Sequence, residues 1–117
     1  LNIHEDGGNN VDVAKINWVI GGADSLMHWY RSIKNPVWQR TALGIPYRSY
    51  RKTDVEKIYS QKIGSPSLVQ VGIPHNVTTQ KDKRLCISIM PEDLRSGSLL
   101  RFDQCAEIFE EYIVKLD

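Results

Sequence analysis

The sequence predicts a mainly β domain, a sandwich or barrel rather than a parallel α/β sheet, with one amphipathic helix at its C-terminus. Three observations predict it. Short apolar runs with a period of two recur along the chain, separated by Gly and Pro turns. The period changes only after Asp103, where apolar residues fall at spacings of three and four. The 117 residues hold no internal repeat, low-complexity tract or linker, so positions 1–117 read as a single domain.

Residues 11–20 read as a strand in which Ile16, Trp18 and Ile20 alternate with Lys15, Asn17 and Val19. Gly21-Gly22-Ala23-Asp24 is a turn. Residues 25–33 form a second strand, with Met27, Trp29 and Arg31 on one face and His28 and Tyr30 on the other. Residues 35–50 read as irregular, because Pro36, Gly44 and Pro46 break any period; this is a candidate lid or substrate-side loop. Residues 54–60 fit a short strand or a turn of helix. Gly64-Ser65-Pro66-Ser67 breaks the chain. Strands are expected at 67–71, 75–79 and 84–90, the last two joined by the polar turn Gln80-Lys81-Asp82-Lys83, and a last short strand at 99–102. Cys105, Ile108, Phe109, Tyr112, Ile113 and Leu116 then share one helical face opposite Glu107, Glu110, Glu111 and Lys115, with Asp103 as the N-cap. Trp18 and Trp29 are expected in the core, since large aromatic side chains bury for packing.

Composition excludes several classes of function. Hydrophobic content of 41% and charged content of 25% mark a globular chain. A net charge of +1 gives no electrostatic case for nucleic acid or an anionic membrane. No apolar run approaches the roughly 20 residues of a membrane span, and no signal-peptide pattern is visible. Two cysteines, Cys86 and Cys105, make a poor disulfide framework. A reducing, cytoplasmic location is the expectation.

The residues that carry chemistry lie far apart. His4-Glu5-Asp6 is an H-x-D; in a strand, residues i and i+2 point the same way, so His4 and Asp6 aim at one point while Glu5 turns away. His75 follows Gly72-Ile73-Pro74 and would come from a strand adjacent in space. Two imidazoles and one carboxylate are what a facial-triad Fe(II) site requires, with open positions left for substrates. Taken singly, each piece is as well explained by a solvated N-terminal loop or a packed turn histidine. Arg84 opens an apolar strand, where a guanidinium needs solvent or an anion, and its fork matches a carboxylate. Ser88 shares its face, two steps of the period away.

The run Leu68-Val69-Gln70-Val71-Gly72-Ile73-Pro74-His75-Asn76-Val77, followed by Arg84-Leu85-Cys86-Ile87-Ser88-Ile89, resembles the C-terminal half of Fe(II)/2-oxoglutarate-dependent oxygenases. That family has an H-x-D, a distal His, and an Arg or Lys about ten residues later. The run Ala14-Lys15-Ile16-Asn17-Trp18-Val19-Ile20 and the run His28-Trp29-Tyr30 also resemble small oxygenase-like proteins common in marine phages and bacteria. The resemblance implies a double-stranded β-helix, also called a jelly roll or cupin-like barrel. It implies Fe(II) on His4, Asp6 and His75, and the distal carboxylate of 2-oxoglutarate on Arg84, with Tyr30 adding a hydrogen bond and Ser88 and Asn17 nearby. The activity it implies is hydroxylation-type oxidation of a substrate C–H bond. Strands that the family places before its H-x-D are missing, so the chain is expected to be an N-terminally truncated piece.

Two other readings stand beside this one. A non-enzymatic β-sandwich, a structural or binding module of a virus or phage, uses the same strands and aromatics and needs no convergence of His4, Asp6, His75 and Arg84. A cupin-type metal enzyme that does not use 2-oxoglutarate needs more histidines, and His28 would have to be the third. Substrate and oligomeric state are not legible. Residues 33–51 are rich in basic and aromatic side chains, which suits either an anionic or peptide substrate or a solvated loop packed on the barrel.

Overall fold

A computed structural model describes residues 2–6, 11–22, 24–63, 66–79 and 83–114. The predicted turn positions Ala23, Gly64, Ser65, Gln80, Lys81 and Asp82, and helix positions Lys115 and Leu116, lie outside the described residues. The chain is mainly β, with antiparallel sheets and one C-terminal helix, as its periodicities predict. Strands β1 (Ile3–Glu5), β2 (Ala14–Gly21), β3 (Leu26–Ser32), β4 (Val37–Arg40) and β5 (Pro46–Tyr50) come first. A turn of 3-10 helix at Lys52–Asp54 leads into β6 (Val55–Lys62), then β7 (Ser67–Gln70), β8 (His75–Thr78) and β9 (Arg84–Ile89).

The strands form two sheets, ordered β4-β5-β1-β8-β3-β6 and β7-β2-β9. The pairing is nested: β1 with β8, β2 with β7 and β3 with β6. A second set, β2 with β9 and β3 with β8, joins the same ribbon along its other edges. The chain thus behaves as one long hairpin rolled across two sheets, with β4 and β5 inserted near its tip. Between the sheets lie Val13, Val19, Met27, Trp29, Ile63, Val69 and Val71, with Ile73, Val77 and Cys86 packed against them. The Trp29 indole N–H donates to the Gln70 carbonyl at 2.8 Å, tying one sheet to the other.

Several expectations change. Residues 35–50 are not irregular: Gly44 turns the chain with φ +81°, and β4 and β5 pair from Val37 opposite Ser49 to Arg40 opposite Pro46. Pro46 opens its strand, where a missing N–H is tolerated. Trp18 is not core. Period two fixes two faces but not which one turns inward, and here Lys15, Asn17 and Val19 face the other sheet while Trp18 stands 54% exposed. The predicted strand at 99–102 reduces to the isolated bridges Glu92 with Leu99 and Val13 with Arg101. The helix α1 (Phe102–Ile108) is shorter than expected. It is capped by Arg101 rather than Asp103, since the Arg101 N–H is met by the Gln104 side chain. It seats the fully buried Cys105 near β2 and β7. Glu110–Tyr112 continues as a 3-10 turn. No described helix is long and apolar enough to cross a membrane.

The assignment of faces is testable. Trp29→Ala removes a buried ring and its hydrogen bond and lowers unfolding free energy by about 3–5 kcal/mol. Trp18→Ala, on the outward face of the same kind of strand, changes it by less than about 1 kcal/mol. Urea denaturation of both variants reads the difference.

Candidate metal centre

β1 and β8 are antiparallel neighbours with His4 directly opposite His75. Paired residues share a face, so the two imidazoles meet with ring centroids 4.6 Å apart. Asp6, two residues beyond His4, joins them, and its backbone N–H donates to the Val71 carbonyl at 2.9 Å. One donor atom from each of the three residues lies within 4.8 Å of the others. His4 Nε2 is 3.6 Å from Asp6 Oδ1, and His75 Nε2 is 3.9 Å from Asp6 Oδ2.

The tautomers follow from the other ring nitrogens. His4 Nδ1 lies 2.8 Å from the Asn2 carbonyl oxygen, and His75 Nδ1 lies 2.8 Å from that of Ile73. A carbonyl only accepts, so each Nδ1 carries a proton, and each Nε2 is directed at the Asp6 carboxylate. Backbone support of this kind is how ligating histidines are oriented. His75, only 4% exposed, has its pKa pulled down to about 4, chiefly by burial, so it is neutral at neutral pH. Two imidazole Nε2 atoms directed at one carboxylate, with His75 held neutral, therefore fit a divalent cation of the iron–zinc series.

Sequence reasoning missed Lys15, whose ammonium reaches Asp6 Oδ2 at 2.7 Å from the inward face of β2. It also missed the anchor behind the site. Glu5 does turn away from His4 and Asp6, as its position between them predicts. It is buried, ion-paired to Arg48 and hydrogen-bonded by the Tyr50 hydroxyl, both on β5. Burial, and then the Glu5 carboxylate, push the Tyr50 phenol up to about 12. Opposite, Tyr47 presents its ring edge-on to His4 at 6.3 Å. A cleft of about 620 Å³ opens on His4 and Asp6, walled by Ile45, Pro46 and Tyr47 of the hairpin and by Met90.

The proposed co-substrate residues divide. Ser88 is exposed, on the same side of β9 as Arg84 and Cys86, and donates to Asn17 Oδ1 at 2.7 Å. Arg84 lies four residues or roughly 13 Å along the strand. Tyr30 does not share the cavity: its hydroxyl donates to Asn76 Oδ1 at 3.0 Å, and Asn76 alternates with His75 onto the opposite face of the sheet. His28 lies on that same opposite face, between Ser60 Oγ at 2.6 Å and Thr78 Oγ1 at 2.9 Å, and so is not a third histidine for the cation. Near the far end of the inward stripe, Gly22 turns with φ +58°, and a Cβ there would lie 2.7 Å from Ser25 Oγ and 2.9 Å from Arg84 Cβ. Ser25 is 1% exposed, and among the described residues neither its hydroxyl nor Arg84 Nε meets a hydrogen-bond partner.

Compared with protein-family models, curated proteins and solved structures, the chain matches none.

Neutral burial of His75 makes stability depend on pH. Its folded pKa lies below its ordinary 6.5, so the unfolded chain takes up the proton first as pH falls. The contribution is whole above about pH 6.5 and is lost toward pH 4, by about 3 kcal/mol in all. In metal-free protein, His75→Gln flattens the stability profile between those limits relative to wild type, measured by urea titration at each pH.

Proposed function

We propose that this chain is an Fe(II)- and 2-oxoglutarate-dependent oxygenase domain of double-stranded β-helix architecture. The observation that carries the reading is the register of β1 against β8, which sets His4, Asp6 and His75 around one point with both Nε2 atoms directed at Asp6. The nested pairing across two sheets supports the jelly-roll reading, which is built by rolling a long antiparallel hairpin. The buried donors Arg84 Nε and Ser25 Oγ support a carboxylate at the far end of the inward stripe, because an unmet buried donor is costly.

When bound, iron and 2-oxoglutarate supply the chemistry: dioxygen, the keto acid and a substrate C–H give a C–OH, succinate and carbon dioxide. The protein supplies position. His4, Asp6 and His75 would hold the cation beside the cleft. Arg84, with Ser25, would take the distal carboxylate of the co-substrate, with Ser88 and Asn17 on the same side of their strands. Tyr47 and the hairpin wall the cleft on one side.

Anaerobic titration of Fe(II) and 2-oxoglutarate tests the reading. Wild type shows the weak visible charge-transfer band of the chelate and His75→Ala does not. A folded wild type that binds metal without the band would falsify co-substrate use, and turnover retained in His75→Ala at saturating iron would rule out the triad. Arg84→Ala raises the 2-oxoglutarate requirement roughly ten- to hundredfold while the metal stays bound. Unchanged co-substrate affinity would make Arg84 structural.

A further inference from the structure

Resting on the reading above, we infer that Lys15 selects the substrate: a small molecule with an apolar body and one carboxylate, docked in the cleft beside the metal. The inference starts from charge. Lys15 Nζ lies 2.7 Å from Asp6 Oδ2, and its side chain is only 22% exposed. Without a cation, the two neutralise each other. A divalent cation on His4, Asp6 and His75 takes over the Asp6 charge and leaves the ammonium as a second cation close by, in a part-buried site. Asp6 offsets one of the three positive charges. The keto-acid carboxylate that chelates the metal offsets another. One is left over, and it is carried by Lys15.

The cleft has no other acid to meet it. Besides Asp6, Glu5 is the only carboxylate among the described lining, and it is engaged from behind by Arg48 and Tyr50. The remaining charge therefore falls to the substrate. Ile45, Pro46, Tyr47 and Met90 offer an apolar wall, so the rest of that substrate is hydrocarbon or aromatic. A cavity of about 620 Å³ limits it to a small molecule or the end of a larger one.

The test uses protein loaded with Mn(II) and 2-oxoglutarate under argon, titrated calorimetrically with hexanoate, hexanamide and hexylamine. Hexanoate binds about tenfold more tightly than the amide, as a charge-assisted contact requires, and the amine does not bind. Lys15→Met removes the preference for hexanoate and Lys15→Arg keeps it. Lys15→Met also binds Mn(II) at least as tightly as wild type, because a cation beside the metal has been removed; a merely structural lysine would give the opposite result. Equal binding of the three probes, or a hexanoate preference that survives in Lys15→Met, overturns the proposal while leaving the oxygenase reading intact. Failure of folded wild type to bind Mn(II) overturns both.

Discussion

Everything at the candidate centre depends on one antiparallel register, His4 opposite His75. Side chains on a strand alternate, so slipping β8 by one residue against β1 would send His75 to the opposite face and bring Pro74 or Asn76 in its place. No hydrogen bond between the two imidazoles holds them together. The register is fixed by neighbours: Trp29 opposite His75 is locked into the core and to the Gln70 carbonyl, while the Tyr30 N–H donates to the Pro74 carbonyl at 2.8 Å. The Asp6 N–H is held in turn by the Val71 carbonyl. The most buried part of the molecule thus supports the meeting of His4, Asp6 and His75.

β1 is only three residues long, too short to be stable on its own propensity. Its position is set from both edges. β8 supplies the register, and β5 supplies the anchor, through Glu5 with Arg48 and Tyr50. The middle residue of the H-x-D thereby acts on the opposite face from its neighbours, and it fastens the β4–β5 hairpin to the strand that carries two of the three ligands. The same hairpin forms the wall of the cleft. The placement of His4 and Asp6 and the wall of the cleft are therefore mechanically one unit. A change that loosens β5 disturbs both.

The sequence made some of this legible. The period of two placed β3, β7, β8 and β9 within a residue of their bounds, and the i, i+2 rule aimed His4 and Asp6 together with Glu5 opposed. It did not reveal the hairpin at 37–50, because a four-residue strand and one opened by proline carry too little period to stand out. Nor could it assign faces. Trp18 is expected in the core as a large aromatic, yet it faces outward with Ile20. Tyr30 was placed toward the cavity although, on an alternating strand, it and Trp29 cannot both face inward. Lys15 and Ser25 carried no motif. The signal for Lys15 was its phase with Asn17 and Val19, which means something only once the inward face is known.

That reversal of faces bears on function. A sheet that turns Trp18, Ile20, Leu85, Ile87 and Ile89 outward while Lys15, Asn17 and Arg84 face inward breaks the usual pattern of an antiparallel layer. Such local conflicts are tolerated where a site needs them. Inward polar groups must still be met. Lys15 is met by Asp6, and Asn17 by Ser88. Along the same stripe, Arg84 Nε and the neighbouring Ser25 hydroxyl have no protein hydrogen-bond partner among the described residues. The stripe is thus satisfied by the chain nearest the metal ligands and left wanting an acceptor at its far end. An apolar residue at position 84 would fill the same space with nothing left unmet, so packing alone does not account for Arg84 beside Ser25.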